Sequence, residues 1–201
     1  MGMTVDSDPV GLPGLAAIAL GFFLFSVTLL VARLRAGRGV KVAVARRDGA
    51  SILGIMVQGF AFVLTAYGPI HVRLDPTSST ALAEAAAVLL LMLATVWLFD
   101  AATRTMGKNW SLVARTREDH QLVQTGPFAV VRHPIYVALF FSMVAMAIAD
   151  GHSRNLLVAV PVFALGTWMR VRNEERLLRE QFGADYDAYA GRVKRFVPGV
   201  F

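Results

Sequence analysis

The chain has 201 residues, of which 56% are hydrophobic and 17% charged, with a net charge of +6. A soluble domain carries about 25% charged residues, so this balance points to a membrane protein, and the length fits one compact domain. There is no cysteine, which excludes disulfides, thiolate chemistry and cysteine-ligated metal.

Leu12 to Ala32 carries no charge and is long enough to cross a bilayer. The acidic residues ahead of it, Asp6 and Asp8, and its length argue against a signal peptide. Ala50 to Ile70 is a second uncharged run, and Ala81 to Ala101 a third with Glu84 and Asp100 near its ends. Ile135 to Ala149 and Leu156 to Met169 are shorter, but the turn-like DGHSRN between them predicts a helical hairpin. Five spans are expected. The loops after the first and third spans, with the tail after the fifth, hold 18 of the 20 Lys and Arg residues. By the positive-inside rule this places the N-terminus outside and the C-terminus in the cytosol. The basic excess is thereby explained by topology, and a nucleic-acid partner is not called for.

The first two spans read as lipid-facing scaffold, with small residues in GIMVQGF for close helix contact. Polar chemistry gathers from Arg104 onward. Past the fifth span, Leu178, Phe182, Tyr186, Tyr189, Val193 and Phe196 recur at helical spacing. Gly183 is expected to break that helix and Asp185 to cap its restart. The result would be an amphipathic cytosolic segment, either an interfacial anchor or a lid over a site.

In TGPFAVVRHP, Gly126-Pro127 is a turn signal and Pro134 suits the first position of a helix. The helix start offers free N–H groups and partial positive charge to an anion, and Arg132 and His133 add donors there. The same residues also fit a plainer account, with Arg132 on lipid phosphate and His133 capping its own helix. Glu174 and Glu175 lie about one turn past the last span among Arg170, Arg172, Arg176 and Arg179. They fit either surface pairs such as Glu175–Arg179 or an inward acceptor for an amine or hydroxyl. In MGKNWS, Asn109 could bond a head group, while Trp110 reads as an interface anchor. His71, His120 and His152 show no metal-ligand spacing, and no Walker, GxGxxG, HExxH or GxSxG motif is present.

The block GPFAVVRHPIYVA, followed by RNEERLLREQFGADYDAYAGRVKRFVPG and preceded by MGKNWS, resembles the isoprenylcysteine carboxyl methyltransferase family. That family lies within a wider group of membrane methyltransferases that includes phospholipid N-methyltransferases. The resemblance covers Met106 to Phe201. It implies an all-α integral membrane bundle in a single domain, with residues 1–103 as scaffold spans and 104–201 as the cofactor-binding and catalytic part. It implies S-adenosylmethionine (SAM) as methyl donor and a lipophilic or prenylated acceptor among membrane lipids, with no metal. Carried over by motif, Gln124, Gly126, Pro127, Val131, Arg132, His133, Pro134, Tyr136, Glu174, Phe196 and Pro198 would hold the cofactor. Asn109, Arg172 and Glu175 would serve catalysis, Glu175 as the base if one is needed. Many relatives have glycine where this chain has Ala138. Methylation most like isoprenylcysteine carboxyl O-methylation is the expected activity, in what would be a bacterial inner membrane. Methylation of a phospholipid, an NADPH-dependent sterol-reductase-like enzyme and a non-enzymatic membrane scaffold are the competing readings.

Overall fold

The computed structural model describes residues 7–37, 49–107, 110 and 121–200. Five long helices make up the body: α1 (Leu12–Gly37), α2 (Gly49–Ala66), α3 (Ser79–Met106), α4 (Pro134–Ala149) and α5 (Leu156–Phe182). A short α6 (Ala184–Arg192) follows α5 directly. The extended structure is small: β1 (Pro9–Val10) pairs in parallel with β2 (His71–Val72), and Val131 bridges Lys194.

Two helices, α1 and α3, are long and apolar enough to cross a membrane. Many of their large apolar side chains face outward, among them Phe23, Leu30, Leu90 and Trp97, each more than half exposed. Such surface is stable only against lipid or a partner. The 16 residues of α4 span about 24 Å at 1.5 Å per residue, short of a hydrocarbon core of about 30 Å. In α5 the apolar half ends near Met169, and the helix runs on for three charged turns to Phe182. Periodicity alone would end the span there. The backbone does not, because NEERLLREQ is made of good helix formers.

Sequence adjacency predicts α4 against α5, but their backbones chiefly choose other partners. The main packing is α1 on α3, α3 on α4, and α2 on α5. The reason is close backbone approach at glycines. A Cβ on Gly166 would stand 2.9 Å from the Gln58 amide nitrogen and the Gly54 carbonyl oxygen, so α5 meets α2 where neither has a side chain in the way. The hairpin halves still touch through larger groups, with the Phe140 and Phe163 rings 6.1 Å apart. Leaving α4 and α5 held apart in this way makes room for a cavity between them.

Gly183 ends α5 as the sequence predicts, and its φ of +51° is one that glycine adopts without strain. Asp185 is not the cap of α6; Gly183 occupies that position, and Asp185 and Asp187 sit in the first turn. There their charge complements the helix dipole. Tyr186 and Tyr189 are buried, and the Tyr189 hydroxyl donates to the Phe128 carbonyl at 2.7 Å. The α6 segment is thereby folded back onto the turn before α4.

Candidate functional site

The site forms where three strips of chain meet. One turn of 3-10 helix, Gly126–Ala129, leads through Val131–His133 into α4. The segment after α6 runs beside it: the Arg132 amide donates to the Lys194 carbonyl at 2.8 Å and the His133 amide to the Arg195 carbonyl at 3.0 Å. The charged turns of α5 complete the arrangement. Gln124, ahead of the turn, accepts from Arg192 at 3.1 Å, a further tie between the same two strips.

At the centre is Glu175, 1% exposed. Its carboxylate accepts from Arg132 Nη2 at 2.9 Å, and from Arg195 Nε at 3.0 Å and Nη2 at 2.8 Å. His133 Nε2 lies 3.2 Å from the same carboxylate. Burial pushes the Glu175 carboxyl up, but hydrogen bonds from His133, Arg195 and Arg132 outweigh it and hold the group well below the usual carboxylate range. The Arg195 guanidinium is raised in turn, chiefly by its hydrogen bond to Glu175. Arg132 spends its remaining donors on the carbonyls of Ala190 and Val193. Neither plain account of this pair survives: Arg132 points inward, its side chain 8% exposed, and the His133 side chain makes no cap to its own helix.

Glu174, one residue earlier, has a different setting. It accepts from the Tyr136 hydroxyl, lies 3.7 Å from His133 Nδ1 and 3.9 Å from Arg170 Nη2, and remains a quarter exposed. The His133 ring packs between the Tyr136 and Phe196 rings, 5.8 Å from each. Arg170 lies over the Tyr136 ring at 5.0 Å.

Glu174, His133, Arg132 and Tyr136 line a cavity of about 400 Å³, and Arg170 and Gln58 lie on its wall. From this polar end it extends between the helices past Phe25, Leu29, Phe62 and Phe99. The buried Tyr186 hydroxyl, on the wall, has no hydrogen-bond partner among the described residues. Burial and the charge of Glu175 raise this phenol, and burial, against the pull of Arg132, pushes Tyr189 up to about 12. Both therefore remain neutral hydrogen-bond donors.

The sequence-derived residues divide by position. Arg132, His133, Pro134, Tyr136 and Glu174 line the cavity. Phe196 supports it by stacking, while Gly126, Pro127 and buried Val131 shape the turn and its bridge. Pro198 is exposed. Arg172 is exposed too, its guanidinium 5.3 Å from the Trp168 ring. It is Arg170 that reaches the cavity, because 170 and 174 are one turn apart on one face and 172 is not. Glu175 belongs to the ion cluster rather than the cavity wall. Asn109 lies outside the described residues. Trp110, expected at a membrane interface, is instead 5% exposed and edge-on to Phe99 on the cavity wall. Ala138 is fully buried beside them, so its methyl thickens that wall. Gln58 is absent from the sequence-derived set, and Arg170 and Tyr186 stand in it only as part of a charged cluster and a helical face. A polar Gln inside an apolar run was the one visible sign.

The cavity is amphiphilic, with an Arg-His-Glu cluster at its polar end, in a bundle that includes two helices long and apolar enough to cross a membrane. Residues 83–185 match the family described as phospholipid methyltransferase. The chain belongs to that family, and isoprenylcysteine methyltransferases are among its relatives. It is 32% identical over 107 residues to the nickel-cobalt-cadmium resistance protein NccN of Alcaligenes xylosoxydans, covering 53% of this chain and 50% of that one. It is 30% identical over 99 residues to the protein-S-isoprenylcysteine O-methyltransferase of Saccharomyces cerevisiae, covering 48% and 41%. The Schizosaccharomyces pombe enzyme of the same name is 30% identical over 108 residues, covering 51% and 44%. The chain thus spans half the length or less of these relatives. Among the described residues no group of three or more His, Asp or Glu is placed to hold a metal ion.

Proposed function

We propose that the protein transfers a methyl group from SAM to a lipophilic acceptor at the cytosolic face of a bacterial inner membrane, most like isoprenylcysteine carboxyl O-methylation. The observation that carries this reading is the two-sided cavity, with a charged end at Glu174, His133 and Tyr136 and an apolar end at Phe25, Phe62 and Phe99. The family alone would not distinguish acceptors. A site built for two reactants of opposite character fits a zwitterionic donor and a greasy acceptor.

The residues suit the donor. The part-exposed Glu174 carboxylate would take an ammonium group, His133 and the charged end would take a carboxylate, and the unmet Tyr186 hydroxyl supplies a further donor. When bound, SAM supplies a methyl group on a sulfonium centre whose charge disperses as transfer proceeds. The protein's own share is to hold the two reactants close and to exclude water. The α6 segment, clasped by the Tyr189 hydrogen bond, serves as the cover. A carboxylate acceptor needs no base. Glu175, held ionised and bonded by Arg132, Arg195 and His133, is a poor one, and we assign it the positioning of Arg132 and His133. Arg172, on the exposed face, receives no role.

The test is binding of S-adenosylhomocysteine to the purified protein by calorimetry, with NADPH as the comparison ligand. His133→Ala and Glu174→Ala should each weaken the adenosyl ligand about ten-fold or more while folded yield changes less. Unchanged affinity in both variants removes the site, and NADPH binding in place of the adenosyl ligand moves the protein to the reductase class. Radiolabelled methyl transfer to prenylcysteine analogues and to fractionated membrane lipids then separates the acceptors. A C-terminal reporter that reads as external would overturn the cytosolic placement.

A further inference from the structure

We propose that Gln58, on α2, is a positioning residue for the methyl acceptor, acting by fixing Arg170 against the cavity wall. The proposal rests on the methyltransferase reading above and adds to it a residue outside the matched segment 83–185.

Gln58 is 4% exposed in the middle of an uncharged helix. A buried amide among apolar side chains is costly unless its hydrogen bonds are met. Both ends are met from α5. Arg170 Nη1 donates to Gln58 Oε1 at 2.9 Å, and Gln58 Nε2 donates to Thr167 Oγ1 at 2.8 Å. A guanidinium has no acceptor, so the amide oxygen must face Arg170, and the nitrogen is left for Thr167 one turn back. Thr167 is itself buried. The pair therefore fixes which way Arg170 leaves its helix.

The helix crossing is built around this contact. A Cβ on Gly166 would stand 2.9 Å from Gln58 Cγ, and one on Gly54 would meet Arg170 Cγ at 2.5 Å. Larger residues at either site would push the amide or the guanidinium aside. Beside Gln58, Gly59 faces open space with no atom within 4 Å of a Cβ, and both residues line the cavity. Arg170 is thus held at the boundary between the charged and the apolar ends, laid over the Tyr136 ring and one turn from Glu174. A cation at that boundary is where the head group of an amphiphile must sit if its tail lies among Phe25, Phe62 and Phe99. Gln58 touches neither reactant in this account. It sets the angle of the group that does.

The experiment compares Gln58→Met, which keeps the volume and loses both hydrogen bonds, with Thr167→Val, which removes only the hydroxyl that orients the amide. An N-acetyl farnesylcysteine probe supplies the acceptor, and S-adenosylhomocysteine affinity is measured in parallel. Gln58→Met should raise the KM for the probe about ten-fold while kcat moves less than about three-fold. Its affinity for the adenosyl ligand should stay within about two-fold of wild type. Thr167→Val should shift KM in the same direction by about two- to five-fold, and it decides the matter alone if Gln58→Met does not fold. Where wild type binds the adenosyl ligand without turning over the probe, the Kd of the probe replaces KM. Unchanged acceptor values in both variants overturn the proposal. So does an equal loss of adenosyl-ligand affinity, which would mean that Gln58 merely holds α2 on α5. Failure of wild type to bind either ligand overturns instead the functional reading beneath it.

Discussion

The two ends of the bundle are closed by different forces. At the end where α4 begins, every ion pair found among the described residues is gathered, from Arg35–Asp100 to the Glu175 cluster. At the opposite end, closure is by neutral contacts. Asp8 donates its amide to the Gly151 carbonyl at 2.8 Å, and the Pro69 carbonyl accepts from both Ser7 and His152. Carboxylates at that end lack ion partners among the described residues: Asp75 is bonded by the Thr77 hydroxyl and amide, and burial raises Asp150. Charge is concentrated at the polar end of the cavity, and the other end is a plain seal. The lesson is that the cluster serves two purposes, locking the C-terminal strip in place and presenting His133 and Glu174 to the cavity.

The largest break in this comparison comes from Glu175→Leu. It leaves Arg132 buried without its counter-charge and takes an acceptor from His133, and removing one partner from such a cluster costs about 3–5 kcal/mol. Thermal unfolding in detergent should show that loss, and limited proteolysis should cut between Gly183 and Phe196 first. Acid offers the same break reversibly. A carboxyl whose folded value is depressed contributes stability that is fully present above its ordinary unfolded value, about 4.3, and that disappears as pH falls toward the folded value. The wild-type midpoint should therefore be insensitive to this group from neutral pH to about pH 5 and decline below about pH 4. Glu175→Gln should remove that acid limb; a decline of unchanged size in the variant would assign it to another group.

A smaller effect, placed between the two ends, is expected of Gly166→Val. Its Cβ would meet backbone atoms of α2 at 2.9 Å, and overpacking of this kind costs about 1–3 kcal/mol. Because Gln58 lies against the same point, the variant should also weaken acceptor binding. A stable variant with full acceptor affinity would show that the α2–α5 crossing can slide.

How much of this was legible in the residues depends on the range of the interaction. The helices were readable because their apolar runs are continuous, and the α5–α6 break because Gly183 interrupts a periodic face. The RHP and EER blocks were readable as a resemblance, and chemistry put their charges at one mouth. What could not be read was rotation and pairing. Arg172 and Arg170 look equivalent in RVRNEE, yet only one shares a face with Glu174. Glu174 and Glu175 look interchangeable as well, yet one reaches the cavity and the other is taken up by Arg132, Arg195 and His133. Gln58 was hidden more deeply, since its partners lie 109 and 112 positions away on a helix that adjacency assigned to another neighbour. Trp110 was placed at an interface by composition and buried by tertiary contact with Phe99.

The smallest effect tests the seal. Gly151 has φ +73°, and a Cβ there would come within 2.2 Å of the Asp8 carbonyl oxygen. Gly151→Ala would thus meet both backbone strain, of order 1–3 kcal/mol, and a clash that forces a neighbour to shift. The clashing partner, however, belongs to the short strip ahead of α1, which is held mainly by the β1–β2 pairing and can shift. The net loss should fall at the low end, about 1 kcal/mol, and be confined to that end. Adenosyl-ligand affinity and acceptor KM should both equal wild type, since neither Gly151 nor Asp8 lines the cavity. Hydrogen exchange should rise at Asp8 to Val10 and at His71 to Leu74, while Arg132, His133 and the α6 amides keep their protection. Loss of protection at both ends together would mean that seal and site are one cooperative unit.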